Sequence, residues 1–101
     1  MNVNGAFAKI LFEFVKLGDI AAVKKQEDRI GLDIQFLYDD NLKQNALFTA
    51  VMIKEESQAI AMVDWLVSKG CPLNFVDVIG QTCLFYASRD GKFNTVKHLI
   101  K

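Results

Sequence analysis

The chain has 101 residues, 51% of them hydrophobic, and its 12 basic and 12 acidic side chains cancel. That length holds one domain with a modest core, and the composition excludes a disordered chain, which would need low hydrophobicity and high net charge. Without a surplus of Lys and Arg the chain is a poor match for nucleic acid; residues 1–36 carry five charges of each sign, and residues 70–101 carry four basic against two acidic.

In chain order, Phe7, Ile10, Leu11, Phe14 and Val15 recur at helical spacing, with Lys9, Glu13 and Lys16 on the other face. Gly18 closes this first helix and Asp19 caps the next, about Ile20 to Ile30. The second helix is more polar, interrupted by the charged run from Lys24 to Arg29, and would show a broad wet face. From Gly31 to Gln44 the chain leaves helix: Leu32, Ile34 and Phe36 alternate with Asp33 and Gln35 as a short extended segment. Asp39-Asp40-Asn41 then supplies turn chemistry. Helix returns from Ala46 to about Lys54, breaks at Lys54-Glu55-Glu56, and resumes from Ser57, as N-cap, to Lys69. Gly70 stops it, and Pro72 cannot continue it. Asp77 and Gly80 mark another turn, a short helix runs from Cys83 to Arg89, and a last one starts near Phe93. It runs into Lys101 with no capping signal.

The pattern is helix, turn, helix, long loop, with internal repetition. Asn45-Ala46-Leu47-Phe48-Thr49-Ala50 returns 37 residues later as Thr82-Cys83-Leu84-Phe85-Tyr86-Ala87. Second apolar stretches follow each copy, Met62 to Val67 and Thr95 to Ile100. The loops at 31–44 and 70–81 each place an Asp, Asp40 and Asp77, five residues before the Asn or Thr that opens the next helix. Such a period marks a stacked array whose units cannot bury their apolar faces alone. The expected fold is all-α, an α-solenoid of about three helix-turn-helix units with hairpin-like connecting loops, in one domain over 1–101. The units fall at about 1–36 (a degenerate N-terminal cap), 37–73 and 74–101, the last truncated.

This order of features resembles the ankyrin repeat. Asp77, Gly80, Thr82, Leu84, Ala87, Gly91, Val96, Leu99 and Ile100 fall where that family places these types, and Asp40, Leu47, Ala50, Val63, Leu66, Gly70 and Asn74 do so one unit earlier. The family period is about 33 residues. The four extra residues here are expected around Ile53 to Ser57, at the turn between the second unit's helices. The family's Thr-Pro-Leu-His opening becomes Asn45-Ala46-Leu47-Phe48 and Thr82-Cys83-Leu84-Phe85, with Phe in place of both histidines.

The resemblance implies a protein-protein interaction module that binds a protein or peptide through loop tips and the inner helix face. Transferred by position, the contact residues are Tyr38, Asn41, Leu42 and Gln44 on the first tip, Val76, Val78, Ile79 and Gln81 on the second, and Met52, Ile53, Arg89 and Asp90 on the inner face. The apolar tip from Phe75 to Ile79 fits a contact surface, with Phe75 the residue expected to fold back onto the core. An alternative is that the chain is a non-catalytic recognition or regulatory arm of a larger multidomain enzyme.

No residue set reads as catalytic. His98 stands alone as a solvent-facing helix residue. Cys71 and Cys83 lack zinc-site spacing and are expected to stay reduced and buried, and Trp65 to pack half-buried. No cofactor or metal is implied. The longest apolar run, Ala46 to Ile53, is eight residues, well short of the roughly 18 of a membrane span. With no secretion signal, the expected location is intracellular, cytoplasmic or nuclear. The uncapped last helix suggests further repeats or a domain beyond Lys101, or self-association through that end.

Overall fold

A computed structural model describes residues 4–100. Among these, six α-helices form three antiparallel pairs: α1 (Gly5–Lys16) with α2 (Ile20–Ile30), α3 (Ala46–Val51) with α4 (Glu56–Ser68), and α5 (Cys83–Arg89) with α6 (Phe93–Leu99). The first helices of the three pairs stand in a row, α1 against α3 and α3 against α5, while α4 backs onto α6. The last helix ends at Leu99, where the Ile100 N–H donates to the Val96 carbonyl at 3.1 Å; Lys101, on which the sequence expectation of an uncapped end falls, lies outside the described residues.

Polar signals in the sequence set the helix ends. The Asp19 carboxylate accepts from the Ala22 N–H at 3.0 Å, and the Asn45 side chain accepts from the Leu47 N–H at 3.1 Å. Asn45 also donates to the Pro72 carbonyl at 3.2 Å, so one cap ties the second hairpin to the loop before the third. The cap of α4 corrects the sequence reading. Glu55, not Ser57, takes that place, and its carboxylate accepts from the Ser57 hydroxyl at 3.1 Å.

The four extra residues are not spent on a wider turn. The connectors 52–55 and 90–92 are nearly equal in length, whereas α4 has 13 residues and α6 has 7. First helices match at an offset of 37, yet the inward positions of the second helices match at 33: Met62 with Thr95, Val63 with Val96, Leu66 with Leu99. The surplus is therefore an added first turn of α4, from Glu56 to Ala59. Four residues are close to the roughly 3.6 of one helical turn, so the buried stripe Ala59, Met62, Val63 and Leu66 keeps its face.

One core runs through the stack, from Leu11 and Val15 through Leu37, Leu47, Val51, Met62 and Leu66 to Cys83 and Ala87. Two segments depart from expectation. Ile34–Phe36 is a 3-10 turn rather than an extended stretch, because Asp33 caps it by accepting from the Gln35 N–H; Ile34 is buried and Phe36 exposed. In the charged run of α2, Glu27 is buried. It accepts from the Ile34 N–H at 2.9 Å and pairs with Lys69 at 3.2 Å, closing the loop after α2 onto the end of α4. Trp65 is half-buried between Lys24 and Lys69, each ammonium 5.9 Å from its ring.

Candidate functional site

Each loop tip is built around one carboxylate. In the second, Asp77 accepts from the Ile79 and Gln81 N–H groups at 3.1 and 3.0 Å, and its own N–H donates to the Gln81 carbonyl at 2.9 Å. In the first, Asp39 has this role. One of its oxygens accepts from the N–H groups of Asn41, Leu42 and Lys43 at 2.9, 2.7 and 3.1 Å, and its N–H donates to the Gln44 carbonyl at 3.0 Å. The sequence reading assigned Asp40 here by counting back from the next helix. The first tip is one residue longer, so the equivalent acid stands one place earlier. The left-handed position before the closing Gln is Gly80 (φ +81°) in the second tip, but Lys43 (φ +56°) in the first.

The tips lean on each other. The Val78 N–H donates to the Leu42 carbonyl at 2.8 Å, and the Gln44 amide donates to Asp77 at 3.0 Å. The Tyr86 hydroxyl donates to the same Asp77 oxygen. Burial works to raise the Asp77 pKa, but the donors from Tyr86, Gln81, Gln44 and Ile79 outweigh it and hold the group down at about 2.

Beside the tips lies a groove of about 290 Å³ lined by Leu42, Gln44, Phe48, Met52, Tyr86 and Arg89. Four of these, Leu42, Gln44, Met52 and Arg89, are among the expected contact residues, brought together from the first loop tip, the α3–α4 connector and α5. Phe48 and Tyr86 were missed. They meet edge to face at 5.8 Å, and the Arg89 guanidinium sits 4.9 Å from the Tyr86 ring centre. The spacings could have flagged them, since Phe48 and Met52, four apart, and Tyr86 and Arg89, three apart, share helix faces. A wider hollow of about 570 Å³ continues past Leu42 and Asn41 to α1, where Lys9, Phe12 and Glu13 complete its wall with Asp40.

Of the remaining expected residues, Val76, Val78 and Ile79 are exposed on the second tip, Ile79 at 66%. Tyr38 stacks at 6.2 Å with Phe75, which turns inward. Gln81 is half-buried in its tip, and Asp90 pairs with Arg89 at 2.8 Å. Ile53 is a correction: at 5% exposure it belongs to the core, because the chain turns it inward as Met52 turns out.

The other singled-out groups have structural settings. His98 sits at the surface partly exposed, its side chain 25% accessible and its ring nitrogen 2.6 Å from the exposed Asp64 on α4. Cys71 and Cys83 are free thiols, pushed by burial up to about 12 and about 11. Among the described residues no group of His, Cys, Asp and Glu is placed to hold a metal ion, and no helix is long and apolar enough to cross a membrane.

At the far end of the row, beside α5 and α6, lies a hollow of about 250 Å³ lined by Leu73, Cys83, Leu84 and Leu99 with Asn74 and Thr82. Phe48 is 4% exposed, and its counterpart Phe85 is 42% exposed. Among the described residues the one has a neighbouring hairpin over it, and the other does not.

No protein-family model matches the chain. The Fowlpox virus (strain NVSL) protein FPV023, whose name describes ankyrin repeats, is 36% identical over 69 residues, 66% of this chain and 16% of that protein. The crystal structure of EF0377, an ankyrin repeat protein, superimposes with a TM-score of 0.72 at 27% identity, over 90% of this chain and 45% of that one. The chain thus spans less than half the length of either.

Proposed function

Because this chain is a stacked array with the ankyrin-repeat fold, we propose that it is a protein-binding module whose contact surface is the groove beside the loop tips. Such arrays stack their units to make one extended binding surface. The observation that carries the reading is the convergence of Leu42, Gln44, Met52 and Arg89 on one concavity, with the Val78–Leu42 bond holding the second tip against the first beside it. Met52 supplies an adaptable apolar contact and Tyr86 and Arg89 a stacked pair, residue types suited to protein interfaces. A photo-crosslinking residue at position 52 should capture partners from cell extract that the same group at Ala61, exposed on the opposite helix layer, does not. Equal capture from both positions would remove the groove from consideration. Equal recovery by wild type and a Val78→Asp, Ile79→Asp variant would separately remove the second tip.

A second reading rests on the exposure of Phe85 against the burial of Phe48. The face of α5 and α6 is proposed to accept another helical hairpin, stacked as α5 stacks on α3. Equilibrium sedimentation tests the self-associating form: a single monomeric species at all concentrations rejects it.

A further inference from the structure

The chemistry of the groove says what kind of segment it takes, given the reading above that it is the contact surface. We propose that the occupant is an internal, extended peptide stretch in which an apolar side chain stands next to an Asp or Glu. The apolar side chain enters between Leu42, Phe48 and Met52, and the carboxylate meets Arg89.

The charge pattern supports this choice. None of the six lining residues is acidic, and Arg89 is their one formal charge. Two loop carboxylates adjoin the groove, Asp90 on Arg89 and Asp77 beside Gln44 and Tyr86; Asp77 is consumed from within, one oxygen taking two backbone N–H groups and the other Gln44 and Tyr86. Arg89 is stacked on Tyr86 and gripped by Asp90 at 2.8 and 3.5 Å along one edge. A guanidinium carries five N–H donors in a fixed fork, so this pairing orients the group and leaves donors over. A carboxylate is the acceptor that fork fits best.

Size and polarity point the same way. A volume of about 290 Å³ is at the floor of the roughly 300–1,000 Å³ of small-molecule pockets. It suits one or two side chains of a longer partner. One N–H of the Gln44 amide is committed to Asp77, which fixes the amide plane and offers its carbonyl oxygen as an acceptor for a backbone N–H of the incoming segment.

A random peptide library displayed with both ends embedded tests this against wild type, Arg89→Glu and Met52→Asp, each checked for native helical content. Wild type should enrich sequences with Leu, Ile, Met or Phe beside Asp or Glu, and Arg89→Glu should enrich Lys or Arg at the acidic place. The best wild-type peptide, synthesised singly, should bind Arg89→Glu about tenfold or more weakly. Its Asp→Asn or Glu→Gln form should lose as much on wild type, with little further loss when both changes are combined. Enriched peptides without an acidic preference, or the same preference on Arg89→Glu, overturn the proposal while leaving the groove as contact surface if Met52→Asp still abolishes binding. Peptides indifferent to both variants, or no enrichment at all, overturn the groove reading itself.

Discussion

Replacing Thr95 by Val should stabilise this protein. Thr95 lies on the inward face of α6 at 1% exposure, and its hydroxyl has no hydrogen-bond partner among the described residues. Its counterpart in α4 is Met62, fully buried and apolar. A hydroxyl left dry and unpaired costs about 1–3 kcal/mol, whereas an apolar group of the same shape carries no such penalty. Valine is close to isosteric and has a similar helix propensity. The expected gain is about 1 kcal/mol, which for a domain of this size raises Tm by about 4–8 °C. Calorimetry supplies the Tm, and urea titration should move the midpoint without changing the slope. Two companions sharpen the test. Thr95→Ser keeps the hydroxyl and loses the methyl, so it should fall below wild type by about 1 kcal/mol. Thr95→Ala loses both and should sit between Ser and Val. If Val equals or falls below wild type, the hydroxyl is bonded in solution and the reasoning is wrong.

Lys43→Gly should stabilise by up to about 1 kcal/mol, because a side chain at φ +56° costs about 1–2 kcal/mol and glycine returns part of this as lost chain entropy; Gly80→Ala should do the reverse by a similar amount, both read by urea titration. Asp77 makes part of the acid stability. Its folded pKa of about 2 lies below the ordinary 3.8, so its contribution is complete above that ordinary value and is lost as pH falls toward 2. Asp77→Asn should flatten this limb of the stability–pH curve, and an unchanged slope would contradict the hydrogen-bond assignment. Neighbouring Met52 and Ile53 should behave oppositely. Ile53→Ala should cost about 2–5 kcal/mol as a core truncation, while Met52→Ala should stay within about 0.5 kcal/mol and weaken partner binding instead.

The helices were legible because their signals are local. Asp19 and Asn45 cap where side-chain chemistry requires, and Cys83–Arg89 begins after Thr82 and ends before the Asp90-Gly91 turn as the pattern indicates. The 37-residue echo gave the stacking. The errors are of a different kind. Whether Asp39 or Asp40 organises the first tip depends on which carboxylate reaches the backbone amides of a six-residue loop, and neighbouring acids look alike in sequence. Ile53 and Met52 sit beyond the last turn of α3, where helical periodicity no longer says which points inward. Glu27 looked like part of a wet charged run because its partners, Ile34 and Lys69, are 7 and 42 positions away.

Sequence alone therefore determined the kind of unit, its repetition and several helix ends, though not the end of α3 or the start of α4, since periodicity, caps and turn residues act within a few positions along the chain. The tertiary structure decided which side chains meet. It turned an apparent insertion into one more turn of α4, and it put Phe48 against Tyr86 and Tyr86 under Arg89. Those outcomes come from packing between hairpins, where the distance that matters is measured in ångströms across the stack.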